Sequence, residues 1–180
     1  MNRSEYVERL KKTIIEEISD QLKSHKPLNF CRTVRDEGEK IFGPNEEKLY
    51  KEAVEKAADA VREKLSNSKK PYQIRKFLEC LILICERHGK ETPPNLMYYV
   101  EEAIKNLDCS RVRDVDMNAL YYLHLKYPES NVIESYMSKC ARRYFEAISE
   151  KTDPELLKYQ GLTLGLSREY IEGIIQKRYK

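Results

Sequence analysis

Residues 71–87 read PYQIRKFLECLILICER. Taken alone, the run from Cys80 to Cys85 could be a buried strand. Its flanks decide otherwise. Ile74, Phe77, Leu78, Leu81 and Ile82 recur at helical spacing, and no partner strand is visible elsewhere. The stretch reads as a central helix, apolar on most sides and buried by its neighbours.

The same periodicity extends in both directions. Upstream, Leu49, Ala53, Ala57, Val61 and Leu65 form a stripe spaced by four, with Asn45 as the expected N-cap and Glu46 and Glu47 in the first turn. Gly43-Pro44-Asn45 breaks the chain before that helix. A shorter helix is expected from Asn29 to Phe42. Before it, Val7, Leu10, Ile14, Ile18 and Leu22 form a helix capped by Ser4 and ended by His25-Lys26-Pro27. Downstream, Gly89 stands where a helix C-terminus favours glycine, and Pro93-Pro94 opens the next helix, with Leu96, Tyr99, Val100, Ala103, Ile104 and Leu107 on its face. Further helices are expected from Val115 to Tyr127, from Val132 to Ile148, after Asp153-Pro154, and after Ser167.

The expected fold class is therefore all-α, an irregular multi-helix bundle of about nine helices, well above the usual helical fraction. The pairs 72–107 and 115–150 have the similar lengths of a two-helix repeat, but their residues align poorly. Residues 1–42 are expected to form an N-terminal helical hairpin, and residues 43–180 the helical core domain. The chain of 180 residues suits this organisation, and its six Gly and seven Pro are too few for the turns of a β-sandwich or barrel.

Composition restricts function. No apolar run reaches the length of a membrane span, and Met1-Asn2-Arg3-Ser4-Glu5-Tyr6 lacks a signal-peptide core. A cytoplasmic protein with no membrane partner is the expectation. Thirty-three Lys and Arg stand against thirty Asp and Glu, so a net charge of +3 does not by itself attract a polyanion. The many charges of both signs, with no Trp, are thermophile-like, and equally those of an ordinary Lys/Glu-rich helical protein. Five Cys without any C-x-x-C read as reduced, mostly core thiols rather than metal ligands.

Most catalytic signatures are missing from the sequence. His25, His88 and His124 form no H-E-x-x-H, the glycines form no phosphate loop, and there is no G-x-S-x-G elbow. No cofactor is expected. Asp114-Val115-Asp116-Met117-Asn118 begins like a calcium loop, but Ala119 and Leu125 stand where the turn glycine and the bidentate Glu belong. A helix cap is the simpler role for Asp114 or Asp116. A carboxylate–metal enzyme site at these two residues is the last-ranked alternative.

Basic groups cluster locally. Lys69, Lys70, Arg75 and Lys76 surround Pro71-Tyr72, while Arg111 and Arg113 share a loop. Lys139, Arg142 and Arg143 can share a helix sector, Arg168 starts the last helix, and Lys177, Arg178 and Lys180 end the chain. Such groups neutralise phosphates, or simply complement helix dipoles and solvate the surface. Residues 157–176 also fit a helix-turn-helix template, with Gly161 and Gly165 at its fifth and ninth positions. Glu169 and Glu172 on the would-be reading helix oppose DNA.

Thr92-Pro93-Pro94-Asn95, the helix Leu96 to Leu107, then Asn118-Ala119-Leu120-Tyr121-Tyr122-Leu123 and Val132 to Met137 weakly resemble the helical C-terminal domain of archaeal and eukaryotic primase large subunits. That family places an iron–sulfur ligand Cys after its Pro-Pro. This chain has Asn95 there, so the resemblance implies an accessory-like helical domain without a cluster. The leading expectation is a non-enzymatic α-helical interaction module with a protein partner, such as an accessory subunit of a nucleic-acid-handling complex. The alternative is direct DNA or RNA binding through Lys139, Arg142, Arg143, Arg168, Lys177 and Arg178.

Overall fold

In the computed structural model, residues 1–178 are described, and every regular element among them is helical. Lys180 of the expected basic cluster lies outside the described residues. The helices are α1 (Arg3–Ser24), α2 (Arg32–Phe42), α3 (Glu46–Ser66), α4 (Pro71–Arg87), α5 (Leu96–Lys105), α6 (Asp114–Lys126), α7 (Asn131–Ser149), α8 (Pro154–Thr163) and α9 (Arg168–Arg178), with a 3-10 turn at Gly43–Asn45. No helix among them is long and apolar enough to cross a membrane. The chain divides into two compact units: Met1–Asn67 with Lys76–Leu96, and Ser68–Arg75 with residues 97–178. Residues 1–42 are grouped in the first unit with α3.

In the first unit α1 packs along α3. Tyr6, Val7, Leu10, Ile14 and Ile18 face inward from α1, while Leu49, Ala53, Ala57, Val61 and Leu65 meet them from α3, joined by Val54 and Ala58. Each large aliphatic side chain so buried contributes roughly 1.5–3 kcal/mol. The α1 cap is Asn2 rather than Ser4. Asn2 Oδ1 accepts the Glu5 N–H at 2.9 Å, and Glu5 Oε2 accepts the Asn2 N–H at 2.8 Å, a reciprocal pair that satisfies two end donors.

Further local expectations need correction, among them the opening of α5, which starts at Leu96 after a turn at Pro94 and Asn95 rather than at Pro93-Pro94. Helix α2 starts at Arg32, not Asn29, because Phe30 and Cys31 lie in the left-handed region at φ 51° and 57°. The Cys31 N–H donates to the Glu17 carboxylate at 3.1 Å, which holds the turn in that shape. Asn45 does not cap α3 with its side chain. It sits in helical backbone geometry at the end of the 3-10 turn, which runs directly into the helix. Glu46 turns inward instead, accepts the Tyr6 hydroxyl at 2.8 Å, and pairs with Arg35 at 3.0 Å. Arg35 also lies 4.0 Å over the Tyr50 ring.

Along α4, Ile74, Leu78, Cys80, Leu81, Ile84 and Cys85 are buried, while Phe77 and Ile82 are half-buried. The stretch that could pass for a strand is thus helical throughout. At its end Gly89 takes φ 66° and the Lys90 N–H reaches back to the Cys85 carbonyl at 2.9 Å.

Two apolar clusters are described in the second unit. Leu120, Cys140 and Cys109 form one, flanked by Val112, Met117, Tyr136 and Met137. Phe145, Leu157 and Ile171 form the other, joining α7, α8 and α9. The expected caps hold here. Asp153 Oδ1 accepts from Glu155 and Leu156, Ser167 Oγ accepts from Tyr170, and Gly165 turns the chain between α8 and α9 at φ 73°.

Candidate functional site

Helix α7 is capped by Ser130, whose Oγ accepts the Ile133 N–H at 3.3 Å and donates to Glu101 at 2.5 Å. The helix buries Ile133, Cys140, Ala141, Phe145 and Ser149. Helical geometry then places Ser135, Ser138, Lys139, Arg142, Arg143 and Glu146 together on the opposite side, where they line a shallow groove of about 670 Å³. A second groove of about 460 Å³ continues from it toward the start of α7 and shares Ser135 and Lys139. Its further lining is mostly apolar, from Ile104, Leu107, Val132 and Tyr136, with Lys105 beside them.

Three of the six expected cationic residues, Lys139, Arg142 and Arg143, meet on this face. Among the described residues no carboxylate lies within ion-pair reach of them. The Arg142 guanidinium lies 5.5 Å from the centroid of Tyr170, whose hydroxyl donates to Glu146 at 2.6 Å. Burial, together with the neighbouring Glu146 carboxylate, pushes the Tyr170 phenol up to about 12. The Ser110 hydroxyl and N–H hold Asp108 below its usual value, with lesser help from Lys70 and Arg143.

The other three cations are placed differently. Arg168 and Arg178 stand at opposite ends of α9, about 15 Å apart along its axis. Arg178 donates to the Glu146 carbonyl at 2.7 Å and lies 3.8 Å from the Glu150 carboxylate. Lys177 is exposed beside it. The outer side of α9 carries Glu169 and Glu172 as well as Arg168, so its charge is mixed.

The acidic pair does not converge. Asp114 accepts a hydrogen bond from the Tyr144 hydroxyl. Asp116 is buried and its Oδ2 accepts from the Arg113 N–H at 3.2 Å and from Arg113 Nε at 3.3 Å, so it closes the first turn of α6. Among the described residues no three His, Cys, Asp or Glu are grouped to hold a metal ion. The five thiols are unbridged and buried. His88 accepts or donates at Nδ1 with the Tyr50 hydroxyl and packs edge-on against Phe30 at 5.9 Å; burial lowers its pKa.

Sequence reading overlooked one feature. Helix α8 buries Leu157 and Gly161, yet Leu156, Tyr159 and Leu162 face outward, 51%, 71% and 50% exposed. Their spacing of three stacks them on one side. The signal was present as two apolar faces on a ten-residue helix, which exceeds what one core contact requires. A smaller exposed pair, Tyr121 and Leu125, lies on α6.

Compared with known proteins, the chain matches no family model, no curated protein and no solved structure.

Proposed function

We propose that this chain is a non-enzymatic helical interaction module that docks a protein partner through the outer face of α8. The observation that carries this reading is the adjacent exposure of Leu156, Tyr159 and Leu162. Isolated apolar side chains on a surface are ordinary, but three large ones stacked on one short helix form a contiguous patch of the kind partners cover. Tyr159 is the natural anchor, because an aromatic ring supplies large contact area at low entropic cost. The chemistry-bearing groups support the same reading from the other side. Asp114 and Asp116 serve Tyr144 and the α6 end, His88 is packed between rings, and the thiols are interior.

The test is a pull-down from the native cell, after nuclease treatment, with the wild-type chain and a Tyr159→Glu/Leu162→Glu variant shown by circular dichroism to stay helical. A stoichiometric protein partner retained by the wild type and lost by the variant is the expected result. Equal retention by both, or retention that vanishes with nuclease alone, would overturn the reading.

A further inference from the structure

The two grooves on α7 adjoin one another and are taken together as one channel. They share Ser135 and Lys139 and together run from Asn131 to Glu146, about 22 Å along the helix. The channel changes character along its length. Its first half offers Leu107, Val132 and Tyr136 with Lys105 at the edge and Ser135 at the junction, and its second half offers Lys139, Arg142 and Arg143 beside the Ser138 hydroxyl. An occupant must therefore present apolar groups at one end and negative charge at the other. Four turns of helix, or a shorter extended segment, span that distance.

Two classes of polyanion could supply the charge. Single-stranded nucleic acid needs exposed rings on which bases stack. Of the residues lining the channel only Tyr136 carries a ring, half-buried with its hydroxyl in the interior, which is too little for successive bases; nearby, Tyr170 is covered by Arg142. Glu146 also closes the cationic end, and Asp108 lies near Arg143, so a continuous run of phosphates would meet carboxylates. A peptide does not face that conflict. A few carboxylates can be placed opposite Lys139, Arg142 and Arg143, where the two guanidinium groups offer forked donors, while Leu or Phe side chains cover Leu107 and Val132.

We propose that the α7 channel is a binding site for an acidic, amphipathic peptide segment of a partner protein. This goes beyond the α8 reading and stands independently of it, since the residues involved are different.

The test uses the full chain as bait and a random library of peptides about 15 residues long, matched to the channel. A single-stranded oligonucleotide of similar length serves as a parallel probe. Enriched peptides are expected to carry net negative charge with apolar residues three and four apart. Their affinity is expected to fall about tenfold or more in Arg142→Glu/Arg143→Glu and in Val132→Asp, to fall with added salt in the wild type, and to be unchanged in Tyr159→Glu/Leu162→Glu. Enrichment of neutral or basic peptides, equal binding to both α7 variants, no enrichment, or tighter binding of the oligonucleotide would each overturn the proposal. Loss of enriched peptides in the α8 variant with the α7 variants unaffected would move the peptide site to α8 and leave the interaction-module reading standing.

Discussion

A single methyl group should have opposite effects at two glycines of neighbouring helices. Gly161 lies inside α8 and is buried against α7 and α9. A Cβ placed there would meet Ile171 Cγ1 at 2.6 Å, Ile171 Cδ1 at 2.7 Å and Phe145 Cε2 at 2.9 Å. Comfortable carbon–carbon contact begins near 3.5 Å, so two side chains must each retreat by most of an ångström. Neither has room, because Phe145 and Ile171 are themselves buried in the core that joins the three helices. Overpacking of this kind costs about 1–3 kcal/mol, against about 1 kcal/mol gained when alanine replaces glycine in a helix. Gly161→Ala should therefore be destabilised by about 1 kcal/mol. Gly173, in α9, has nothing within 4 Å of the same added atom. Gly173→Ala should keep the helical gain and be stabilised by about 0.5–1 kcal/mol. The gap of about 2 kcal/mol corresponds to roughly 4–8 °C in melting temperature for a chain of this size. Thermal melts followed by far-ultraviolet circular dichroism measure it directly. A second comparison isolates the cause: Ile171→Val removes one of the clashing carbons, so it should cost less in the Gly161→Ala background than alone. If Gly161→Ala melts at or above Gly173→Ala, the close packing of α8 on α9 described above is wrong.

Other outcomes follow from the same packing. Gly38→Ala should destabilise the first unit by more than the helical gain, since the new Cβ would strike the Tyr6 ring and hydroxyl, and moving Tyr6 breaks its bond to buried Glu46; a chemical denaturation midpoint above wild type would refute this. Burial pushes the phenols of Tyr50 and Tyr127 and the thiol of Cys31 up to about 12, and the thiol of Cys80 up to about 11. Folded values above the unfolded ones mean that this stability is intact below the ordinary pKa and is lost as pH rises through the folded values. The urea midpoint should therefore drop between about pH 9 and pH 12, with tyrosinate absorbance rising together with loss of helix; phenols that all titrate near their ordinary value in a still-helical protein would contradict it. The same burial should keep the five thiols unreactive toward a chromogenic disulfide in the native state and expose them together on unfolding, and rapid labelling of any one would show that residue to be misplaced.

The helical skeleton was legible because it is set by local periodicity. The stripe from Leu49 to Leu65, the glycine turns at Gly89 and Gly165, and the caps at Asp153 and Ser167 depend on residues within one turn of each other. Two of the misread ends, the starts of α2 and α3, have a common cause: each is decided by a partner far along the chain, whereas the α1 cap at Asn2 is set locally by Glu5. Cys31 enters the left-handed region while bonded to Glu17, and Glu46 is drawn inward by Tyr6 and Arg35, so neither start of α2 nor of α3 follows the local rule. The site divides in the same way. That Lys139, Arg142 and Arg143 share a sector follows from spacing on one helix. That Arg178 instead bonds the last turns of α7 needs the approach of α9, which no spacing rule contains.

Net charge hides this distribution for a related reason. A sum of +3 over 63 charged residues describes a balanced surface only if the signs are mixed everywhere. In the first unit they are mixed: Arg3 meets Glu52, Arg9 meets Glu37, and Lys56 lies between Glu8 and Glu52. Each such exposed pair adds little stability, but it cancels the local field. On α7 the cations face outward with no carboxylate of the described chain within ion-pair reach, while the acids near them, Glu146 and Asp108, are held by Tyr170 and Ser110. Pairing in one unit thus leaves a local excess in the other that the total conceals. An acidic partner would answer that excess, and screening by salt should weaken its attachment before it weakens the fold, because the fold rests on apolar cores that salt does not screen.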